Sequence, residues 1–267
     1  MAARSCGFDS HHRHIHMGAL PTKSANHGFF KEWSREMGYV FGYFIADGCI
    51  SIGKGRKKNP YTFSITSKDE KHLFKIRDIL KSTHKISLKN GKRTNQAHQI
   101  QIRSSVMARD LIALGASERK TYNLSKIDVP KKYFWDFVRG FFDGDGSVYI
   151  YNVNGVPQIK SNFVCASKSF IENLNTRICF YLKIPAKSVH TRKPKDNKDM
   201  IQYSIDYYVN DSEKLALCMY KNSPSIHMDR KKAVFDRWSE IKKSTRKFTK
   251  RNYPSKVGWH LNQGVVS

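Results

Sequence analysis

The sequence predicts an α+β fold built from two similar units. Each runs helix, strand, strand, helix, strand, strand, helix, with its four strands in one antiparallel sheet. Three observations lead there. Two short apolar stretches with embedded glycines, FGYFIADG (Phe41–Gly48) and VRGFFDGDG (Val138–Gly146), both end in Asp-Gly. A similar succession of runs follows each of them, which marks an internal repeat. Alternation in YTFSIT and MIQYSI marks half-buried strands.

The elements follow in order. After FIADGCISIG comes a basic turn, KGRKKNP, and then YTFSITSKDEKHLFKIRDIL; after FFDGDGSVYIYN come VNGVPQ and SNFVCASKSFIENLNTRICFYL. On this alignment Phe63, Ser67 and Lys68 recur as Phe163, Ser167 and Lys168. Two further strands surround a polar turn in each unit, KISLKNGKRTNQAHQIQI and KSVHTRKPKDNKDMIQYSI. VMARDLIALG and NDSEKLALCMYK close the units, and Arg119–Lys120 and Arg230–Lys231 come after them. The expected boundaries are a leader over 1–28, a first unit over 29–124, a joint over 125–134, a second unit over 135–244 and a basic tail over 245–267. SKIDVPKKY marks the joint, and DRKKAVFDRWSEIKKS is the closing helix. HHRHIH (His11–His16) reads as a tag-like extension, because no partner ligands or apolar periodicity accompany it.

Composition narrows the partner. The 267 residues carry 48 Lys and Arg against 22 Asp and Glu, a formal charge of +26. Such a surplus favours a polyanion and argues against an ordinary metabolic enzyme. Hydrophobic residues at 39% and aromatics at 12% argue against a disordered basic tail. Five cysteines (Cys6, Cys49, Cys165, Cys179, Cys218) make no CxxC pair, as expected of free thiols in a reducing, intracellular compartment. No apolar run reaches membrane-spanning length, and no signal core opens the chain, so neither a membrane nor secretion is expected.

Gly42 and Ala46, like Gly140 and Gly144, stand four apart and share one helix face. Glycine costs about 1 kcal/mol inside a helix, so its use at one phase in both copies points to two backbones in close contact. Asp47 and Asp145 end these helices, and Gly48 and Gly146 read as left-handed caps. A carboxylate there meets the negative end of the helix dipole and, in a paired helix, a second carboxylate. A divalent ion with oxygen ligands resolves that conflict. Mg²⁺ commonly takes one or two carboxylates plus substrate phosphates. Two acids beside a bound polyanion therefore suggest metal-assisted phosphodiester hydrolysis. The plainer reading, an Asp-Gly turn into a strand, accounts for one copy better than for two.

These two stretches and the αββαββα order resemble the LAGLIDADG homing endonucleases in their single-chain, two-motif form, over about Trp33 to Trp238. The resemblance implies a saddle of two sheets over double-stranded DNA, the motif helices forming the central interface of a monomer. It implies an endonuclease that makes a double-strand break at a long site, in intron or intein-type homing or free-standing. It further implies catalytic acids Asp47 and Asp145, metal contacts from the Ala46 and Gly144 carbonyls, and assisting bases Lys120 and Lys231. Ser67 and Ser167 would be supporting polar residues. Mg²⁺ is the implied metal, with Mn²⁺ substituting and Ca²⁺ supporting binding without cleavage. Ile45 and Asp143 occupy one non-catalytic position, where Asp143 is expected to be a solvated or partner-facing acid. A non-cutting binder of the same fold, such as a maturase acting on intron RNA or a transcriptional regulator, is the alternative.

The free sheet faces can follow a major groove. Thr62, Ser64, Gln99, Gln101, Arg103, Asn162, Gln202 and Ser204 are the candidate readers. A one-residue error of phase would invert that set. Lys54, Arg56, Lys57, Lys58, Lys89, Lys92, Arg93, Arg192, Lys193 and Lys195 sit in or beside hairpin turns and are candidate phosphate contacts.

Overall fold

The computed structural model describes residues 23–53, 60–89, 96–117, 124, 126–192, 200–221 and 225–252. The first unit comprises α1 (Arg35–Asp47), β1 (Gly48–Ile52), β2 (Tyr61–Ser67), α2 (Glu70–Ile79), β3 (Ile86–Lys89), β4 (Ala97–Arg103) and α3 (Ser105–Ala113). The second comprises α4 (Phe134–Asp145), β5 (Gly146–Val153), β6 (Val156–Cys165), α5 (Lys168–Leu182), β7 (Val189–Arg192), β8 (Gln202–Tyr208) and α6 (Val209–Tyr220), closed by α7 (Asp229–Asn252). Each unit has one antiparallel four-stranded sheet, ordered β1-β2-β4-β3 and β5-β6-β8-β7. The expected duplicated α+β fold is the observed one.

Register corrects the alignment of the two units. Gly48 pairs with Ile65 and Gly146 with Phe163. Ile65 then pairs with Ile100, as Phe163 does with Ile205. The counterpart of Phe163 is thus Ile65 rather than Phe63. Ser67 corresponds to Cys165, and Asp69 to Ser167. The caps agree: Asp69 caps α2 and Ser167 caps α5. The second hairpin turns on Asn154–Gly155, whose φ values of 50° and 80° suit a tight primed turn.

Sequence patterning explains the packing. Ser34 Oγ accepts the Met37 N–H and starts α1, and Met37 to Ile45 are all buried. Ile50, Phe63, Ile65, Ile100 and Ile102 cover the first sheet's inner face, and Ile159, Phe163, Ile205 and Tyr207 the second's. Between the sheets α1 crosses α4 at glycine. A methyl group on Gly42 would lie 2.1 Å from the Phe137 carbonyl oxygen, and one on Gly140 2.0 Å from that of Tyr39. The close helix contact read from these glycines is therefore present.

Two boundaries shift. The Asn26 N–H donates to the Leu80 carbonyl and the Thr83 N–H to that of Ser24, which ties residues 24–26 to the first unit. α7 continues past residue 245, where the tail was expected to begin. HHRHIH and Cys6 lie outside the described residues. Among the described residues no helix is long and apolar enough to cross a membrane.

Replacing Gly42 or Gly140 with Ala should destabilise the protein by about 3 kcal/mol, because a backbone carbonyl opposes each new methyl group. Urea unfolding measures this. A loss below about 0.5 kcal/mol would contradict the crossing.

Candidate active site

Each motif helix passes into its first strand without a loop. Gly48 and Gly146 adopt extended backbone, with φ of −88° and −83°, not the left-handed cap expected. Glycine is required there for space. A methyl group would lie 2.1 Å from the Phe44 ring at Gly48 and 2.3 Å from the Phe142 ring at Gly146. The sharp exit leaves Asp47 and Asp145 half-buried at the helix ends.

The crossing pairs each acid with the opposite motif. Asp47 lines a cavity of 390 Å³ with Gly144, Tyr43, Ser67, Asp69 and Arg230. Asp145 lines one of 200 Å³ with Ala46, Cys165 and Gln202. It also borders a more open space of 510 Å³ with Gly146, Ser147, Arg230 and Lys231. A methyl group on Gly144 would sit 2.2 Å from Ala46 Cβ and 3.5 Å from Asp47 Oδ2. Acids and small residues of the two motifs thus meet crosswise.

Lys231 is only 4% exposed. Its Nζ donates to the carbonyls of Phe142 and Gly146 at 2.6 Å and of Asp143 at 2.8 Å, with Gly144 farther at 3.4 Å. The ammonium therefore caps the negative end of α4, where Asp145 stands. Burial lowers its pKa to about 8 although Asp143 pulls the other way. Lys231 is thus turned inward from the cavities, while its exposed neighbour Arg230 lines both the Asp47 cavity and the open space at Asp145. Helical periodicity carried this signal, since Lys231 shares a stripe with buried Phe235 and Trp238 while Arg230 does not. Lys120 lies outside the described residues.

Ser67 stands in the Asp47 cavity as expected. Its Oγ accepts the Tyr43 hydroxyl at 2.9 Å and the Asp69 N–H at 3.1 Å. Ser167 instead accepts the Phe170 N–H at the start of α5 and donates to the Leu124 carbonyl. The residue beside Asp145 is Cys165, which the sequence reading missed. Counting from the Asp-Gly anchors would have found it, because equal numbers of residues separate Gly48 from Ser67 and Gly146 from Cys165.

Asp143 faces the partner helix, as one of its two expectations held, yet it is fully buried rather than solvated. Its Oδ2 accepts the Tyr39 hydroxyl at 2.7 Å and the Met228 N–H at 2.8 Å. Burial raises its pKa to about 6 against those two bonds. With its hydrogen given to Asp143, Tyr39 Oη accepts from His72 Nε2 at 2.9 Å. Burial lowers the His72 pKa to about 4.

The outer sheet faces keep the expected phase, but three of the candidate readers, Ser64, Asn162 and Ser204, are buried rather than free. Thr62 pairs with Arg103, Ser64 with Gln101 and Thr66 with Gln99, all opposite in face to Ile100 and Ile102. Gln101 Nε2 donates to Gln99 Oε1 and Gln99 Nε2 to Thr66 Oγ1. Lys89 approaches Thr66 on the same face. On the second sheet Asn162 pairs with Asp206 and Gln202 with Arg192. Ser204 lies on that face too, its Oγ accepting from Arg192 Nε. An acid the sequence reading did not name, Asp206, sits there in an ion pair with Lys160 at 2.8 Å. Lys54, Arg56, Lys57, Lys58, Lys92, Arg93, Lys193 and Lys195 lie outside the described residues.

Two αββαββα units joined through paired, glycine-crossed helices with one acid at each helix end define a duplicated-motif protein. The family model for a LAGLIDADG-like domain matches residues 34–113, nearly all of the first unit. The first unit is thus similar to a LAGLIDADG-like domain, and the second repeats its element order. The fold of the whole chain is similar to that of the LAGLIDADG homing endonuclease I-GzeII in complex with its DNA target. The TM-score there is 0.55 at 13% identity, over 82% of this chain and 93% of that one. The meganuclease I-CpaMI bound to uncleaved DNA gives 0.50 at 13% identity, over 82% and 94%. The chain is also 28% identical over 202 residues to the DNA-directed RNA polymerase subunit Rpo1C of Methanocaldococcus jannaschii. That match takes in 67% of this chain, which spans about a fifth (21%) of the curated relative.

His72 carries a pH prediction. The unfolded chain takes up its proton near pH 6.5 and the folded chain only near 4, so its contribution is complete above 6.5 and lost as pH falls through that window. His72→Phe should remove this part of the acid slope, on the order of 3 kcal/mol. Urea midpoints of both proteins across the window test it, and parallel slopes would refute it.

Proposed function

We propose that the chain is a site-specific DNA endonuclease, acting as a monomer, that makes a metal-dependent double-strand break. The observation that carries this reading is the crosswise pairing of acids with the opposite motif: Asp47 shares a cavity with Gly144, and Asp145 with Ala46. One chain thereby holds two acid sites, one for each strand, and needs no second copy.

The donors at these sites fit a hard divalent cation. Carboxylates and peptide carbonyls are oxygen ligands of the kind Mg²⁺ takes, and Asp47, Asp145 and the Gly144 and Ala46 carbonyls would hold it. When bound, Mg²⁺ would supply charge stabilisation at phosphate and a bound water of lowered pKa. The protein's own residues do the rest. Arg230 neutralises phosphate charge between the two cavities. Lys231 holds the last turn of α4 against the repulsion between its carbonyls and Asp145, so its part in catalysis is to position that acid. The polar sheet faces read base edges, and the basic hairpins bind phosphates without reading sequence.

Asp47→Asn or Asp145→Asn should each abolish double-strand cleavage while site-specific binding in Ca²⁺ persists, since removing a negative charge eases the approach of phosphate. The cleavage assay uses a plasmid library in Mg²⁺, and the binding assay the site it selects. Normal cutting by both variants would refute the site. Binding by the unmutated protein without cutting in any divalent metal would favour a maturase or regulator.

DNA affinity should also fall steeply with salt, by about 0.9 log units per log unit of salt for each phosphate neutralised. Titrations from low to physiological salt measure the slope, and a flat line would remove the basic hairpins from the interface.

A further inference from the structure

Strand register allows the surroundings of the two acids to be compared position by position. Tyr43 and Ser67 line the Asp47 cavity, and Tyr39 and His72 pack behind Tyr43. Register matches Tyr43, Ser67, Tyr39 and His72 to Phe141, Cys165, Phe137 and Phe170, of which Cys165 lines a cavity with Asp145. Packing confirms the equivalence. The Tyr43 and His72 ring centroids lie 4.9 Å apart, and those of Phe141 and Phe170 5.0 Å. The same scaffold is thus polar behind one acid and apolar behind the other.

The difference reaches the cavities. Ser67 Oγ accepts from the Tyr43 hydroxyl and from the Asp69 N–H. Its own hydrogen is then left to be given to a group in the cavity that it lines with Asp47. Tyr43 in turn is fixed by burial and by its stacking on Tyr39, which is bonded to both Asp143 and His72. At Cys165 a thiol takes the serine's place, and a thiol is a weak donor. The ring of Phe141 supplies no hydroxyl to orient it.

Building on the endonuclease reading, we propose that the two sites cut at unequal rates. The strand held at Asp47 is cut first, with Ser67 and Tyr43 as positioning residues for the attacking water, and the reaction passes through nicked DNA. In each hydrolysis the water oxygen bonds to phosphorus and the bond from phosphorus to one ester oxygen breaks. The water loses a proton, and the leaving oxygen takes one from solvent. Asp145 works beside Cys165, where the water is held less well, and its strand follows.

The test is a time course on a supercoiled plasmid carrying the selected site, in Mg²⁺, with end-labelled duplex to identify the strand. Nicked circles should build up before linear product, the nick falling in one strand. Asp145→Asn should still nick that strand, and Asp47→Asn should nick only the other. Tyr43→Phe with Ser67→Cys should slow the first strand about tenfold, the lower end of what supporting residues of a metal site contribute. Phe141→Tyr with Cys165→Ser should shorten the lifetime of the nicked form. All four changes together should move the nick to the opposite strand, which a merely structural role would not do. Binding in Ca²⁺ shows that each variant is folded. Simultaneous cutting of both strands, or variants that slow both equally, would overturn the asymmetry and leave the endonuclease reading standing. Failure of the unmutated protein to cut at all would remove that reading and this proposal together.

Discussion

Gly42 and Gly140 let one helix backbone lie against another, and the rest of the candidate site depends on that contact. Each glycine faces a peptide carbonyl of the opposite helix at a distance that admits no side chain. The approach is kept one turn further on, where Gly144 lies against Ala46. Because Asp47 directly follows Ala46 and Asp145 follows Gly144, the crossing delivers both acids to the same end of the helix pair. Bulkier residues at these four positions would part the helices and separate each acid from the opposite motif. The loss of helix propensity at glycine, about 1 kcal/mol each, is offset by the buried aromatic shell that closes over the crossing, Phe41 and Phe137 among it.

The same geometry creates an electrostatic problem. Two helices end side by side, each with its negative pole and an acid at the tip. On α4 the chain answers with Lys231, whose ammonium is drawn under the last turn onto the carbonyls themselves. Its depressed pKa reflects the cost of burying it there. A lysine so placed meets Asp145 only through the backbone of the last turn, and the cation that lines the cavities is Arg230, one residue earlier in α7. The buried Asp143 belongs to the same arrangement. It fastens α4 to Tyr39 of α1 and to the Met228 N–H just ahead of α7, so the helix that carries Lys231 is tied to the crossing it stabilises.

The fold was legible in the sequence because its signals are local. Strand alternation, Asp-Gly at two helix ends and the repeat of element order each need only a few residues. The motif acids and the helix-contact glycines were legible for the same reason, and so was the phase of the outer sheet faces. What failed was comparison between the units. Ser-Lys occurs in both at a similar distance from the acid, but in the first unit it closes β2 and in the second it opens α5. Identity of residue type outweighed spacing there, and Cys165 was passed over. A phosphate-assisting role for Lys231 comes from the resemblance and its place after the last helix of the unit, neither of which carries burial. Only its place on the stripe with Phe235 and Trp238 showed that its ammonium must find partners inside.

The two units are most alike where they touch. At the crossing, Gly42 and Gly140 lie against each other's helices, as Ala46 and Gly144 do, and a change on one side is felt at once on the other. One layer out this coupling weakens. Phe141 and Phe170 pack within the second unit, as Tyr43 and His72 do within the first. Rings of nearly the same shape fill both places, and the Tyr43 hydroxyl and His72 Nε2 are additions that each find a partner, in Ser67 and Tyr39. The scaffold therefore holds its two-fold geometry at the acids while leaving their chemical surroundings free to differ.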